Sequence, residues 1–444
     1  MSGHGIYRIS RRGFLKGARA GAAGLAGAGW LARSASAQSR PAGANERIRL
    51  AFVGTRGQGQ FNLKIFKNEP GVEVPVVCDV NLRAADAARK IAGEKTEVVQ
   101  DYRRLLDRRD IDAFVVCTPD HWHAIITIQA CQAGKDVYVE KPLSLCVAEG
   151  RRMVQAARKH DRVVQVGTQQ RSGEHYAQAR EIVRSGQLGK IGEVFTWIVE
   201  NRWPGVRRPP REDPPSYLDW DLWLGPRPKV PYDRSRCSGA HRFYWDYAGG
   251  QMTDMGTHHM ETIQWFMDVQ APLSAAAAGT KVMDQEPYET PDTVRALWEY
   301  PGWNLEFMIR EACGYNREVS QFGILFHGGE ATLYIDRAGF EVLPGKGGPP
   351  TLVVGTPRAP AMMPEALSRS HIRNFLDCMR TRQPPNADVE IGHRATTVCH
   401  LGNIAYRTGR KIRWDAQREQ IIDDPEAAGL LTRAYRAPYL LPEV

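Results

Sequence analysis

The sequence predicts an α/β fold in two parts. A doubly wound parallel sheet comes first, followed by a C-terminal α/β domain built on a large, mostly antiparallel, open-faced sheet. Three observations predict it. Short apolar runs alternate with helical patterns from Arg47 to Gln170, the rhythm of parallel strands joined by crossover helices. A glycine-rich turn follows the first of those runs. After Gly173 the strands lengthen and alternate in polarity, as in an antiparallel sheet with one covered face.

In the first part, Ile48–Val53 reads as a strand, residues 61–67 as a helix, residues 73–78 as a strand and residues 82–93 as a helix. Residues 102–106 form a short helix before the apolar strand 113–117. Helices over 124–133 and 148–160 flank the strand Val137-Tyr138-Val139, and 163–166 is a further strand. In the second part, residues 193–201, 293–300 and 304–310 read as strands. The segments 174–185, 258–268, 367–380 and 392–408 read as covering helices. Two irregular stretches interrupt it: 203–231, with eight prolines and the tryptophans Trp203, Trp220 and Trp223, and the Gly/Pro-rich loop 344–364. No internal repeat is present. The boundaries expected are 1–37, 38–46 (linker), 47–170 (first domain) and 171–444 (second domain).

Residues 1–37 read as an address rather than structure. Ser10-Arg11-Arg12-Gly13-Phe14-Leu15-Lys16 has the twin-arginine form, a mild Gly/Ala/Leu stretch follows, and Ala35-Ser36-Ala37 is a small-residue cleavage site. Six glycines between Gly13 and Gly29 oppose a stable helix, and the apolar run is too short to span a membrane comfortably. Export by the twin-arginine route, to the periplasm or otherwise out of the cytoplasm, with cleavage after Ala37 is the expectation. That segment holds six basic side chains and no acid, so its removal takes the net charge from +9 to +3. The high pI therefore reflects the signal, and no nucleic-acid surface is expected. Eight cysteines lie scattered without a C-x-x-C pair, so neither a metal site nor a disulfide framework is expected.

The chemistry gathers where strands end. Gly54-Thr55-Arg56-Gly57-Gln58-Gly59 follows the first strand and opens a helix. Such glycines bring backbone N–H groups and a helix N-terminus against a pyrophosphate, as in a Rossmann dinucleotide-binding domain. Arg56 occupies the middle glycine position of the usual motif. Asp79 closes the second strand, 20 residues after Gly59; its carboxylate suits two ribose hydroxyls and repels a 2′-phosphate. NAD is the expected cofactor, with NADP possible through Arg56. Glu140-Lys141-Pro142 ends the strand 137–139, where proline stops the ladder. A lysine at that carboxyl edge points into the crevice where α/β proteins bind ligands.

Together these residues resemble the Gfo/Idh/MocA family, which includes glucose–fructose oxidoreductase and inositol dehydrogenase. The resemblance rests on the Gly54–Gly59 turn, Thr118-Pro119-Asp120-His121-Trp122-His123, Ala133-Gly134-Lys135, Glu140-Lys141-Pro142 and residues 249–258 (GGQMTDMGTH). It implies a Rossmann domain and an open-faced domain whose sheet mediates homodimers or homotetramers. It maps the catalytic pattern onto Lys141, Asp254 and His258, and a carbohydrate or cyclitol onto the substrate. Cofactor contacts are expected from Gly54, Arg56, Gly57, Gln58, Gly59, Asp79, Thr118, Pro119, His121, His123, Glu140, Lys141 and Gln169. Substrate contacts are expected from Gln170, Arg171, Arg202, His241, Tyr244 and Trp245.

The chemistry stands beside the resemblance. Oxidising a secondary alcohol needs a base for the hydroxyl proton, which His258 can be. It also needs a cation beside the developing alkoxide, which Lys141 can be. Asp254, one turn before His258 if the segment is helical, would hold substrate or orient the imidazole. The expected function is an NAD(P)-dependent oxidoreductase acting on a sugar, glycoside or cyclitol, with tightly bound cofactor. Two alternatives stand beside it: a glycoside hydrolase working by transient oxidation and elimination, and a non-catalytic dinucleotide-binding protein.

Overall fold

The computed structural model describes residues 47–200, 212–282, 288–314, 320–358 and 364–444. The twin-arginine signal, the linker 38–46 and Arg202 lie outside the described residues. The first sheet is built from β1 (Ile48–Val53), β2 (Val72–Cys78), β3 (Glu97–Val99), β4 (Ala113–Val116), β5 (Asp136–Val139) and β6 (Val164–Val166). Its order is β3-β2-β1-β4-β5-β6, and every pairing is parallel. The order reverses at β1/β4, the switch point where open α/β sheets bind ligands beyond the strand ends. Both central strands are buried along nearly their whole length, which is why they read as continuous apolar runs rather than alternating ones.

The connections are α1 (Gln58–Phe66), α2 (Leu82–Ala92), α3 (Asp120–Gln132) and α4 (Val147–Lys159). Helix α3 starts four residues before the expected 124. Pro119 supplies a suitable φ of −59° at the N-cap position, and Asp120 places an acid in the first turn, where the helix dipole favours it. His121 and His123 are therefore helical residues rather than loop residues.

The second sheet adds β7 (Ile191–Val199), β8 (Ser274–Thr280), β9 (Thr293–Tyr300), β10 (Trp303–Arg310), β11 (Phe322–Gly328), β12 (Ala331–Asp336), β13 (Gly339–Pro344), β14 (Leu352–Gly355), β15 (Ile412–Asp415) and β16 (Gln420–Ile422). Its ten strands run β14-β13-β12-β11-β7-β10-β9-β8-β15-β16, and only β7/β10 is parallel. The fold class read from sequence is borne out. β14 lies inside the stretch expected to be a Gly/Pro loop, as an edge strand with mostly exposed residues.

Helices α5 (Glu174–Arg184), α6 (Trp220–Leu224), α7 (Gly250–Asp254), α8 (Gly256–Met267), α9 (Glu365–Thr381), α10 (Val389–Thr408) and α11 (Pro425–Gly429) complete the chain. The alternating face of β9 (buried at Val294, Ala296, Trp298 and Tyr300) packs with Met260, Ile263 and Phe266 of α8 and Val398 and Leu401 of α10. Helix α9 instead crosses to the first sheet, where Phe375 joins the edge-to-face cluster of Phe52, Phe66 and Tyr138. The expected helix through Asp254 and His258 is two helices: Asp254 closes α7, and His258 lies in the first turn of α8.

Candidate active site

The turn from β1 into α1 is held by contacts that leave no room for side chains. A Cβ on Gly54 (φ +84°) would lie 2.6 Å from Cys117 C and Thr118 N, and one on Gly59 would lie 2.1 Å from Gly54 O. Gly57 differs: its φ is +41° and nothing lies within 4 Å of where its Cβ would stand. Bare backbone at the start of α1 thus faces open space, the geometry that admits a pyrophosphate. The Asp79 carboxylate accepts from Thr55 N (2.8 Å), Thr55 Oγ1 (3.1 Å) and Asn81 N (2.9 Å). Burial raises its pKa against those bonds. Arg56 Nη1 donates to the Cys237 carbonyl (2.9 Å), so this guanidinium is engaged across the cleft.

A cavity of about 330 Å³ runs from this turn to Lys141, lined by Gly54, Arg56, Gly57, Gln58, Asp79, Thr118, Pro119, Asp120, Glu140, Lys141, Trp223, His241, Arg242 and Asp254, among others. That volume is in the range of small-molecule sites, about 300–1,000 Å³. The open Gly57 backbone, the Asp79 carboxylate and the buried, unpartnered Thr118 Oγ1 fit a dinucleotide.

At the inner end, Lys141 Nζ pairs with Asp254 Oδ1 and donates to the Asp254 carbonyl (2.9 Å). Arg242 Nε meets the other carboxylate oxygen at 3.0 Å. One carboxylate thus holds two cations. Asp120 makes no ion pair among the described residues. Burial raises its pKa to about 7; Asp254 adds to that rise, while Arg242 and Lys141 oppose it. Beneath the lysine, Glu140 is buried and accepts from Asn62 Nδ2 (2.8 Å). His258 is 2 % exposed, and its Nδ1 has no partner. Burial, then Lys141, Arg337 and His259, hold its pKa well below the ordinary value, and only Asp254 pulls it up. At neutral pH this imidazole is uncharged and able to accept a proton. Asp254 lines the cavity and His258 does not.

The other nominated residues fall into two groups. His241 lines the cavity, held through Nδ1 at 2.9 Å from the Ser238 carbonyl; burial brings its pKa down to about 3. The rest do not line the cavity. Both ring nitrogens of His123 lie 2.8 Å from carbonyl oxygens, those of Pro142 and Thr118, tying the end of β4 to the end of β5. His121 Nε2 meets the Trp223 carbonyl at 2.9 Å. Gln169 is buried near Tyr138 and Glu140, and Gln170 is buried with Oε1 unpartnered. Arg171 is committed to Glu261 and stacks over Trp265. Tyr244 is fully buried with its hydroxyl 2.5 Å from Ser235 Oγ. Trp245 borders a separate void of about 20 Å³ beside His400 and Arg433.

A segment of the second domain covers the cavity. Leu82 N donates to Tyr217 O (2.8 Å), and Asp219 N donates to Val80 O (3.0 Å), so backbone after β2 pairs with the cover directly. Leu218, Leu222 and Trp223 then close one wall. The cover is gripped from outside by Arg436, whose N donates to Pro226 O (2.8 Å) and whose Nη2 donates to Gly225 O (2.8 Å).

Residues 48–168 match the family described as "Oxidoreductase family, NAD-binding Rossmann fold". Residues 176–300 and 357–441 match its "Oxidoreductase family, C-terminal alpha/beta domain". The chain belongs to the Gfo/Idh/MocA oxidoreductase family. Its first domain is an NAD-binding Rossmann domain, as the Gly54 turn and Asp79 led us to expect. Among curated proteins, an alpha-N-acetylgalactosaminidase of Shewanella oneidensis is 31 % identical over 221 residues, 45 % of this chain and 48 % of that one. A glycosyl hydrolase family 109 protein of Shewanella sp. (strain ANA-3) is similar to the same degree and over the same shares. The aligned region spans about half the length of these curated relatives. Among solved structures, a levoglucosan dehydrogenase in complex with NADH and levoglucosan superposes with a TM-score of 0.64 at 16 % identity, covering 83 % of this chain and 99 % of that one. A myo-inositol 2-dehydrogenase from Lactobacillus plantarum gives 0.63 at 20 % identity over the same shares. These likenesses are of fold.

Within this Gfo/Idh/MocA chain, sequence reasoning missed Asp120 and Arg242 as cavity residues, Asn62 beneath Glu140, and the cover around Leu218. Asp120 carried a signal, standing inside a quoted motif at a strand end. Arg242 carried none, since its partner lies on a different helix.

Proposed function

We propose that the protein oxidises a secondary hydroxyl of a sugar, glycoside or cyclitol, using NAD held in the covered cavity. The observation that carries this reading is the Lys141–Asp254–Arg242 cluster at the inner end of an NAD-binding cleft. Bound NAD supplies the hydride acceptor. The Lys141 ammonium, fixed by Asp254, lies where a developing alkoxide needs a cation. His258, neutral and with Nδ1 free, lies off the cavity wall in this structure, so it takes the hydroxyl proton only when bound substrate reaches its ring. Asp79 favours NAD over NADP, since its carboxylate repels a 2′-phosphate and Arg56 is turned away to Cys237. We also propose periplasmic export by the twin-arginine route, with cofactor already bound, and assembly into a homodimer or homotetramer through the sheet face that carries the exposed Leu297.

A second reading is favoured by the 31 % identity to an alpha-N-acetylgalactosaminidase: glycoside cleavage through transient oxidation and elimination, with NAD regenerated in each cycle. One experiment separates the two. Purified protein is stripped of bound dinucleotide for identification, and the loaded protein is incubated with glycosides and cyclitols. NADH accumulating without bond cleavage supports the oxidoreductase. Cleavage without NADH supports the hydrolase. Absence of dinucleotide and of binding on addition defeats both.

A further inference from the structure

Several basic side chains near the reacting groups are matched to acids. Lys141 and Arg242 share Asp254, and Arg171 is matched by the fully buried Glu261. Arg337, in the turn between β12 and β13, forms no ion pair among the described residues. Its Nη2 lies 3.8 Å from Met255 Sδ, and its guanidinium stands 5.1 Å from the centre of the Phe322 ring. Its Nε is buried without a hydrogen-bond partner. Met255 is the residue at the break between α7 and α8, with Asp254 immediately before it and His258 three residues on. The unmatched guanidinium therefore stands beside the segment that carries the reacting groups.

Two further atoms in this neighbourhood are also buried and unpartnered: His258 Nδ1 and Gln170 Oε1. Tyr176 has both Arg337 and Gln170 as neighbours, which joins the set. A buried N–H donor with no acceptor, as Arg337 Nε is, costs free energy that a protein normally avoids. Such a vacancy beside a site is supplied when a ligand brings the acceptor. The planar fork of arginine suits a carboxylate or phosphate, bound through two parallel hydrogen bonds.

We propose that Arg337 receives an anionic substituent of the carbohydrate, so that the substrate is an acidic sugar: a uronate or aldonate carboxylate, or a sugar phosphate. This rests on the carbohydrate reading above and narrows it. The anion pairs with Arg337 while the reacting hydroxyl lies toward Lys141 and His258. Gln170 receives a neighbouring hydroxyl through its free Oε1.

The test is calorimetric titration of the NAD-loaded protein with matched sets: hexoses, the corresponding hexuronates and the corresponding hexose 6-phosphates. Charge-assisted hydrogen bonds predict binding about ten- to hundredfold tighter for an acidic member than for its neutral counterpart. Preference for uronate or for phosphate tells which anion is meant. Arg337→Met removes the preference, and Arg337→Lys, which keeps the charge without the fork, keeps part of it. The wild-type comparison needs no variant, so a variant that fails to fold leaves the test intact. Equal or tighter binding of the neutral sugars overturns the proposal, as does no acidic sugar binding at all, or a preference that survives in a folded Arg337→Met. Dinucleotide absorbance is read on the same samples. Acidic sugars that bind without NADH formation or bond cleavage defeat the proposed reaction and leave anion recognition by Arg337 standing.

Discussion

Two ion pairs, Lys141–Asp254 and Arg171–Glu261, use the same chemistry for different ends. The cations are equally sheltered, with side chains 15 % and 16 % exposed; the carboxylates are not, at 17 % for Asp254 and 0 % for Glu261. Asp254 takes a second cation and faces the cavity. Glu261 keeps one partner, leaves Oε2 buried and unpartnered, and has its arginine stacked over Trp265. A pair with room for a third participant can bind and react. A pair sealed by packing can only hold the fold, and breaking it exposes the full cost of a buried charge.

The largest effect expected is on turnover. Lys141→Ala and His258→Ala should each lower it by about 10²–10⁴-fold while leaving a folded protein that retains its dinucleotide. Single-turnover reduction of bound cofactor measures this, and near-normal turnover in either variant removes its catalytic assignment. Next, Glu261→Gln should destabilise the protein by about 3–5 kcal/mol, read by urea unfolding, because Arg171 is left buried without its counter-charge. Asp254→Asn should cost much less stability and much more activity. A reversed pattern would break the comparison.

The smallest effect concerns Asp120. Its pKa, raised to about 7, means the folded state holds a proton that the unfolded chain releases near pH 4. Stability should therefore fall as pH rises from about 4 to 7. Asp120→Asn should remove that part of the slope, a few degrees in Tm at pH 8. A slope unchanged in the variant would mean that another group carries it.

The parallel half of the fold was legible because its strands are buried on both faces and bounded by turns, so composition alone marks them. Strands β3, β8 and β11 to β16 were not legible. Several are short, and β14 is exposed at an edge, so burial leaves little periodic trace in them. Lys141 was legible from a local signal, a strand stopped by proline. Arg171 was expected at the substrate, and no local pattern encodes its pairing with Glu261, 90 residues further on. The cluster around Asp254 likewise depends on three separated segments, and no local pattern encodes that Arg242 and Lys141 would meet there.

The grip of Arg436 on Pro226 and Gly225 sets an order of events during synthesis. Arg436 leaves the ribosome 380 residues after Arg56, roughly 20–80 s later at about 5–20 residues per second. The parallel sheet and its glycine turn can form in that interval, but the cover is not yet clamped over them. A dinucleotide that arrives early meets an open shelf; one that arrives late meets a fastened lid. Closure of the cofactor chamber is thus among the last steps in making this protein.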